Sequence, residues 1–400
     1  MTMSGYRLSR LFAGALVLSI AALTSAGCSA DDDTQDRAVT WAVVEPSATG
    51  LGPDAVARAL TPAVATSSVP WILAGSDLVA GTRTAAWWYS SDGRVWSPGV
   101  IATANGSAPA TSLSSITVVN KTLVAVAETA SGRSVYAADI SRPSTARLGA
   151  LAPSATANPP IADISFVATT SKGEALLVGS AVDDGFRTTP IAWRSANGQD
   201  WSLAEVEPYG DATEAVALGF SSRPGQDLIM GTAQRDGQSD IAFWRATDAT
   251  RFAAVSSRVL GGQGDQAAYS AVPWHQGFVV VGTTAVANPS SGGATRLQPA
   301  SWQAADGEHW AAVHRAPPAL SVEATSVRHA VTTKRQIVAI GLAGDRLAMW
   351  ATDDGDHWNV AAIPTIDGVN DVVLAADDPH LVAVAQTADG PVLLTGERSR

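Results

Sequence analysis

Two histidines occupy matching places late in this sequence, His309 in "DGEHW" and His357 in "DGDHW". Imidazoles hold a metal ion when several converge, and the local signatures of that chemistry are HxH and HExxH. Neither spacing occurs among the six histidines, and matching positions of a repeat sit apart in space, so no metal and no cofactor is expected. The acidic pairs Asp183 with Asp184 and Asp353 with Asp354, and the run "DDDTQD" from Asp31, lack the spacing of a calcium loop and read as solvated loop residues. Six arginines, Arg83, Arg133, Arg187, Arg235, Arg296 and Arg346, recur between apolar stretches. Guanidinium groups converging on one mouth would hold a carboxylate or sulfate bidentately. The competing reading is that arginine is nearly the only base in a chain with three lysines, and that hairpin loops need charge for solubility.

A larger anomaly is the thirteen tryptophans beside seven phenylalanines and five tyrosines. "WYSSDGRVW" from Trp88, "WRSANGQDW" from Trp193, "WRATDATRF" from Trp244, "WQAADGEHW" from Trp302 and "WATDDGDHW" from Trp350 are copies of one pattern with Asp or Asn in the middle. Catalysis would place such a cluster once; recurrence at a period is architecture. The first gap is double, and "VYAADISRP" fills it with Tyr136 in the tryptophan position. Seven apolar runs, "WILAGS", "TLVAVAE", "ALLVGS", "DLIMGT", "FVVVGT", "IVAIGL" and "LVAVAQ", keep the same rhythm, most closing on a small residue. One period of about fifty residues reads strand, turn, strand, loop, strand, Asp-Gly turn, strand. Four short antiparallel strands per repeat predict an all-β fold, a seven-bladed β-propeller of four-stranded antiparallel blades over residues 39–400.

The last period stops at "GPVLLTGERSR", one strand short, while "AVTWAVVEP" places Trp41 like the closing tryptophan of the pattern. Residues 39–45 are therefore expected to complete the last blade and remove two raw edges. Within each copy, a two-residue hairpin at Asp-Gly would pair Ser91 with Arg94, Tyr89 with Trp96 and Trp88 with Ser97. The two tryptophans would then face opposite neighbours. The same register sets Arg194 against Trp201 and Arg245 against Phe252 as cation–π pairs. Trp88, Asp92, Trp96, Trp193, Trp201, Trp302, Asp306, Trp310, Trp350, Asp354 and Trp358 are read as structural repeat residues.

The repeat resembles the Asp-box, or BNR, pattern SxDxGxxW of sialidase-like propellers, carried by "SSDGRVW", "SANGQDW" and "TDDGDHW". Here Gly follows the Asp directly, and the copy at Trp244 has Ala249 for Gly and Phe252 for the closing aromatic. In that family the box lies on the turn from third to fourth strand, away from the ligand face, so the resemblance concerns architecture and implies no activity. A sialidase would need clustered arginines, an acidic proton donor and a tyrosine nucleophile. Tyr209 with Glu207 in "EVEPYGDATE", and Glu214 nearby, are the candidates, and Tyr269 opens another first strand. The family's N-terminal arginine in an Arg-Ile-Pro context has no counterpart. The insertion "TTAVANPSSGGATRLQPAS" is either a recognition loop or a flexible linker.

At the N-terminus, Arg7 and Arg10 precede an apolar segment at residues 11–23, too short to span a bilayer comfortably. "TSAGC" then resembles the bacterial lipoprotein lipobox, with Ser25 where Leu is commoner. The resemblance implies a signal peptide at 1–27, a diacylglyceryl thioether on Cys28 and an acidic tether at 28–38, with the protein on the outer face of the cytoplasmic membrane. Cys28 is the only cysteine, so no intrachain disulfide is possible. The formal charge of −11 argues against a nucleic-acid partner. The expectation is a monomeric, membrane-tethered, non-catalytic binding or scaffolding module for a protein or glycan. The alternative is a glycoside hydrolase or other hydrolase acting at the central channel.

Overall fold

In the computed structural model the regular structure of the described residues is β-strand apart from the helical turn at Pro46–Thr49, the 3-10 turn at Pro143–Thr145 and a 3-10 residue at Leu260. The structure describes residues 39–63, 71–102, 109–150, 162–182, 187–248, 250–255, 260, 264–287, 295–305, 309–312 and 325–398. The signal segment, Cys28 and the tether lie outside these, as do Asp183, Asp184, Ala249, Asp306 and the middle of the insertion at 283–301.

The strands form consecutive antiparallel meanders. The first comprises Val56–Pro62, Trp71–Val79, Thr82–Ser90 and Ser97–Pro98. Next come Ala110–Val119, Thr122–Thr129, Gly132–Asp139 and Arg147–Ala150, the last flanked by Val100–Ile101. The third (Ala162–Thr169, Ala175–Val182, Thr188–Ser195, Ser202–Val206) and fourth (Glu214–Arg223, Gln226–Arg235, Gln238–Ala246, Arg251–Ala254) merge into one eight-stranded sheet, because their outer strands pair in parallel, Glu205 opposite Arg251. The fifth contains Gln266–Trp274, Gly277–Ala287, Thr295–Ala304 and Trp310–Ala312, and the sixth Thr325–Thr332, Ile337–Ala343, Arg346–Thr352 and Asn359–Val360. Val369–Asp377, His380–Thr387 and Gly390–Arg398 form a last meander whose outer strand is Val39–Val43, paired antiparallel with Val39 opposite Arg398. First strands touch in succession, and Val369–Asp377 touches Val56–Pro62, so the order closes on itself.

The core lies between meanders, not within them. Each buried cluster joins the strands of one meander to those of the next, as where Val373, Val382 and Val384 meet Trp71, Trp88 and Trp96. The small residue that ends most of the apolar runs has a local cause. Every first strand carries a bulge, and five times a glycine of the second strand stands opposite it, as Gly231 opposite Ala217 and Gly282 opposite Ala268. A Cβ on Gly231 would lie 1.8 Å from the carbonyl oxygen of Val216, so only hydrogen fits.

The Asp-Gly turn corrects the expected register. Tyr89 stands opposite Ser97 and Trp88 opposite Pro98, one residue away from the two-residue hairpin. The Ser90 hydroxyl accepts from the Gly93 amide at 2.9 Å, and one Asp92 carboxylate oxygen accepts from the amides of Arg94 at 2.8 Å and Val95 at 3.0 Å. Gly93 has φ 72, the left-handed conformation this wider turn requires. Ser195 with Asn197 and Thr352 with Asp354 repeat the arrangement. Because side chains alternate with period two, a slip of one residue turns the second tryptophan over. Both aromatics of a copy therefore face the preceding meander: Trp88 with Trp96, Trp193 with Trp201, Trp302 with Trp310 and Trp350 with Trp358. Tyr136 occupies the same place in the degenerate copy. Arg194 consequently lies over Phe252 of the next meander at 5.3 Å, not over Trp201, and Arg245 stands opposite Ala253.

Candidate functional site

Antiparallel order puts all turns between second and third strands at one end of the molecule and the Asp-Gly turns at the other. Arg83, Arg133, Arg187, Arg235, Arg296 and Arg346 all lie at the first end, where the loops entering first strands also arrive. Their side chains do not form one group. Arg83 donates to the carbonyl of Asp54 at 2.5 Å. Arg133 reaches Asp163 of the next first strand at 3.1 Å, and Arg235 stands 3.1 Å from Asp211 while lying over the ring of Tyr209. Arg187, Arg296 and Arg346 are exposed on their own hairpins.

Of the six, Arg83 borders two clefts at this end, between the last, first and second meanders. One, of about 540 Å³, is walled by Arg58, Arg83, Ser76, Thr111, Ser112 and Glu128. The adjoining one, of about 270 Å³, shares Arg58 and Arg83 and adds Asp54, Asn370 and Gln386. Arg58, the bulged residue of Val56–Pro62, was not singled out from sequence; the structure pairs it with Asp371 at 2.9 Å across the ring closure. The bulge residues of neighbouring first strands continue this inner arc. Arg328 lies over the ring of Tyr269 at 5.2 Å. Next to Arg328, His329 is held below the usual histidine range by burial, with Asp371 opposing and Arg328 adding to the shift. The feature common to Arg58 and Arg328 is that each directly follows the first-strand residue standing opposite a second-strand glycine, Ala57 opposite Gly75 and Val327 opposite Gly341.

Tyr209 is elsewhere. It is buried, its hydroxyl donates to the Val255 carbonyl at 3.0 Å, and its ring meets Trp244 edge-on at 5.3 Å. Burial raises the phenol's pKa, which disfavours the phenolate a nucleophile would need. One Glu207 carboxylate oxygen accepts from the Ala254 amide at 3.2 Å, and the Glu207 carbonyl accepts from the Trp244 indole at 2.8 Å. Both residues tie the fourth meander to its entering loop, a packing role. Glu214 opens its first strand, exposed. His357 stands 2.6 Å from Asp354 within its own turn, and among the described residues no group of three His, Cys, Asp or Glu could hold a metal ion.

No family description matches the chain, and no curated protein does. Among solved structures, a Hadza microbial sialidase, Hz136, aligns with TM-score 0.46 and 12% identity over 71% of this chain and 65% of that one. The phage phi92 endosialidase aligns with TM-score 0.45 and 11% identity over 91% and 69%. A Trypanosoma rangeli sialidase aligns with TM-score 0.43 and 14% identity over 86% of this chain and 54% of its own.

Proposed function

We propose that this chain is a seven-bladed β-propeller with Asp-box-like turns, closed by its N-terminal strand and tethered through Cys28 to the outer face of the cytoplasmic membrane. In this reading it works as a non-catalytic binding module, taking a protein or glycan ligand that presents an anionic group in the rim clefts beside Arg58 and Arg83. The observation that carries the reading is the pair of adjoining clefts sharing these two guanidinium groups, at the end of the molecule opposite the Asp-Gly turns. Arg58 donates through one nitrogen to Asp371 and Arg83 through one to the Asp54 carbonyl, and a planar fork has further donors to offer.

The place where the tether begins supports the same arrangement. Val39 pairs with Arg398, at the Asp-Gly end, so an anchor there presents the arginine rim away from the lipid. The eleven residues 28–38 reach at most about 40 Å when extended.

A second reading, glycoside hydrolysis, is favoured by Glu128 on the same cleft wall as the two arginines. Glycan-array binding and turnover of aryl glycoside and sialoside reporters by the same sample separate the two. The binding reading expects retention that weakens about tenfold in Arg58→Ala or Arg83→Ala and falls with added salt, without turnover. Turnover abolished by Glu128→Gln would establish the hydrolase instead.

A further inference from the structure

The strand Val39–Val43 has one hydrogen-bonded neighbour, Gly390–Arg398, and nothing on its outer side among the described residues. Other outer strands are shorter or covered. Ser97–Pro98, Trp310–Ala312 and Asn359–Val360 are two or three residues long; Arg147–Ala150 is flanked by Val100–Ile101, and Ser202–Val206 and Arg251–Ala254 cover each other. Val44 donates to the Leu393 carbonyl at 2.9 Å. By the alternation of an antiparallel ladder, the backbone groups of Val39, Trp41 and Val43 then point outward, unpaired by the sheet.

A cleft lies on each face of this edge. On the face of Val39 and Trp41, a groove of about 310 Å³ is walled by Val338, Met349, Val360 and Ala361. On the face of Thr40 and Ala42, a cleft of about 610 Å³ carries Asp92, Asp377 and Glu397 against one fixed cation, Arg94, with His380 beside them. We infer that Val39–Val43 is a docking edge for an extended peptide segment of alternating apolar and basic residues, which adds a strand to the last meander. The outward backbone groups would supply the hydrogen bonds, the groove would take the apolar side chains, and the acidic cleft would take the basic ones. Charge selects this occupant over two others. A second copy would bring its own Asp92, Asp377 and Glu397 to the same face, and the chain's own upstream segment "SADDDTQD" is acidic.

The test is fluorescence anisotropy of a labelled short peptide alternating valine and lysine, titrated with the whole chain, beside a matched peptide alternating valine and glutamate. The lysine peptide is expected to bind and the glutamate peptide not, with new hydrogen-exchange protection at the amides of Trp41 and Val43. Val43→Pro removes one outward N–H on an edge that tolerates proline and should weaken binding about tenfold. The double variant Asp377→Lys with Glu397→Lys alters surface charge only and should weaken it at least as much; it decides the matter where the proline variant melts early. Equal binding of the two peptides, or unchanged affinity in the charge variant, overturns the proposal. So does a concentration-dependent dimer that Val43→Pro abolishes, which would assign the edge to a second copy.

Discussion

Asp354 shows how one carboxylate can hold a turn. Burial alone would raise its pKa, but the backbone amides of His357 and Asp356, the His357 ring and the Thr352 hydroxyl together hold it well below the usual carboxylate range. Its folded-state pKa is thus lower than the unfolded value of about 3.9. The sign follows: the stabilisation is complete above that value and is lost as pH falls through the lowered one. Asp354→Ala should cost about 1–2 kcal/mol at pH 7, the scale of losing a side-chain cap, and should flatten the acid limb of a denaturation profile below about pH 4. A variant whose acid midpoint matches the parent's would refute this. Glycine at the first-strand bulge is less forgiving. Gly231→Ala forces a carbonyl aside and should lower stability by about 1–3 kcal/mol or more. Gly237→Ala, at φ 78 with no atom within 4 Å of the added carbon, should cost only about 1–2 kcal/mol of left-handed strain. Paired urea titrations would show whether the two differ in that order.

At the scale of elements, the strand Val39–Val43 is the outer strand of the last meander, and Trp41 joins the cluster between the sixth and last meanders just as closing tryptophans do elsewhere. Deleting residues 39–45 should therefore lower the melting temperature by far more than trimming a tail, because it exposes Leu394 and the edge of Gly390–Arg398. An unchanged melting temperature would mean that the last meander is complete without it. The strand positions were legible because apolar runs and Asp-Gly turns punctuate them. The register across the turn was not, because a two-residue hairpin and the wider turn differ by one residue and share the same Asp-Gly signal. What distinguishes them is the hydroxyl two residues before the acid, Ser90, Ser195 or Thr352, whose oxygen accepts the glycine amide.

For the whole molecule, closure creates two ends with different chemistry, one carrying the rim clefts and the other the Asp-Gly turns and Val39, where the N-terminal strand begins. If Cys28 is lipidated as proposed, a cysteine placed by Ala388→Cys, at an exposed rim hairpin, should react with a membrane-impermeant maleimide faster than one placed by Ser91→Cys at the opposite end. Equal rates would argue against a fixed orientation over the membrane. The candidate site was only partly legible. Arg83 was visible as one of six recurring arginines, yet its partner Arg58 was not, because the two come from different strands and meet only when the first strand bulges. Tyr209 looked reactive in sequence because Glu207 and Glu214 flank it; folding turned its hydroxyl to a backbone carbonyl instead.

The sequence by itself determined the all-β class, the four-strand period, the small residues of the second strands and the need for an N-terminal strand at the end of the ring, since each follows from local periodicity and turn chemistry. Only the tertiary structure decided which neighbour each tryptophan faces, which arginines share a cleft and which are spent on nearby acids. Those outcomes depend on register and on contacts between residues as far apart as Arg58 and Asp371, where a shift of one position reverses a side chain and no local pattern records it.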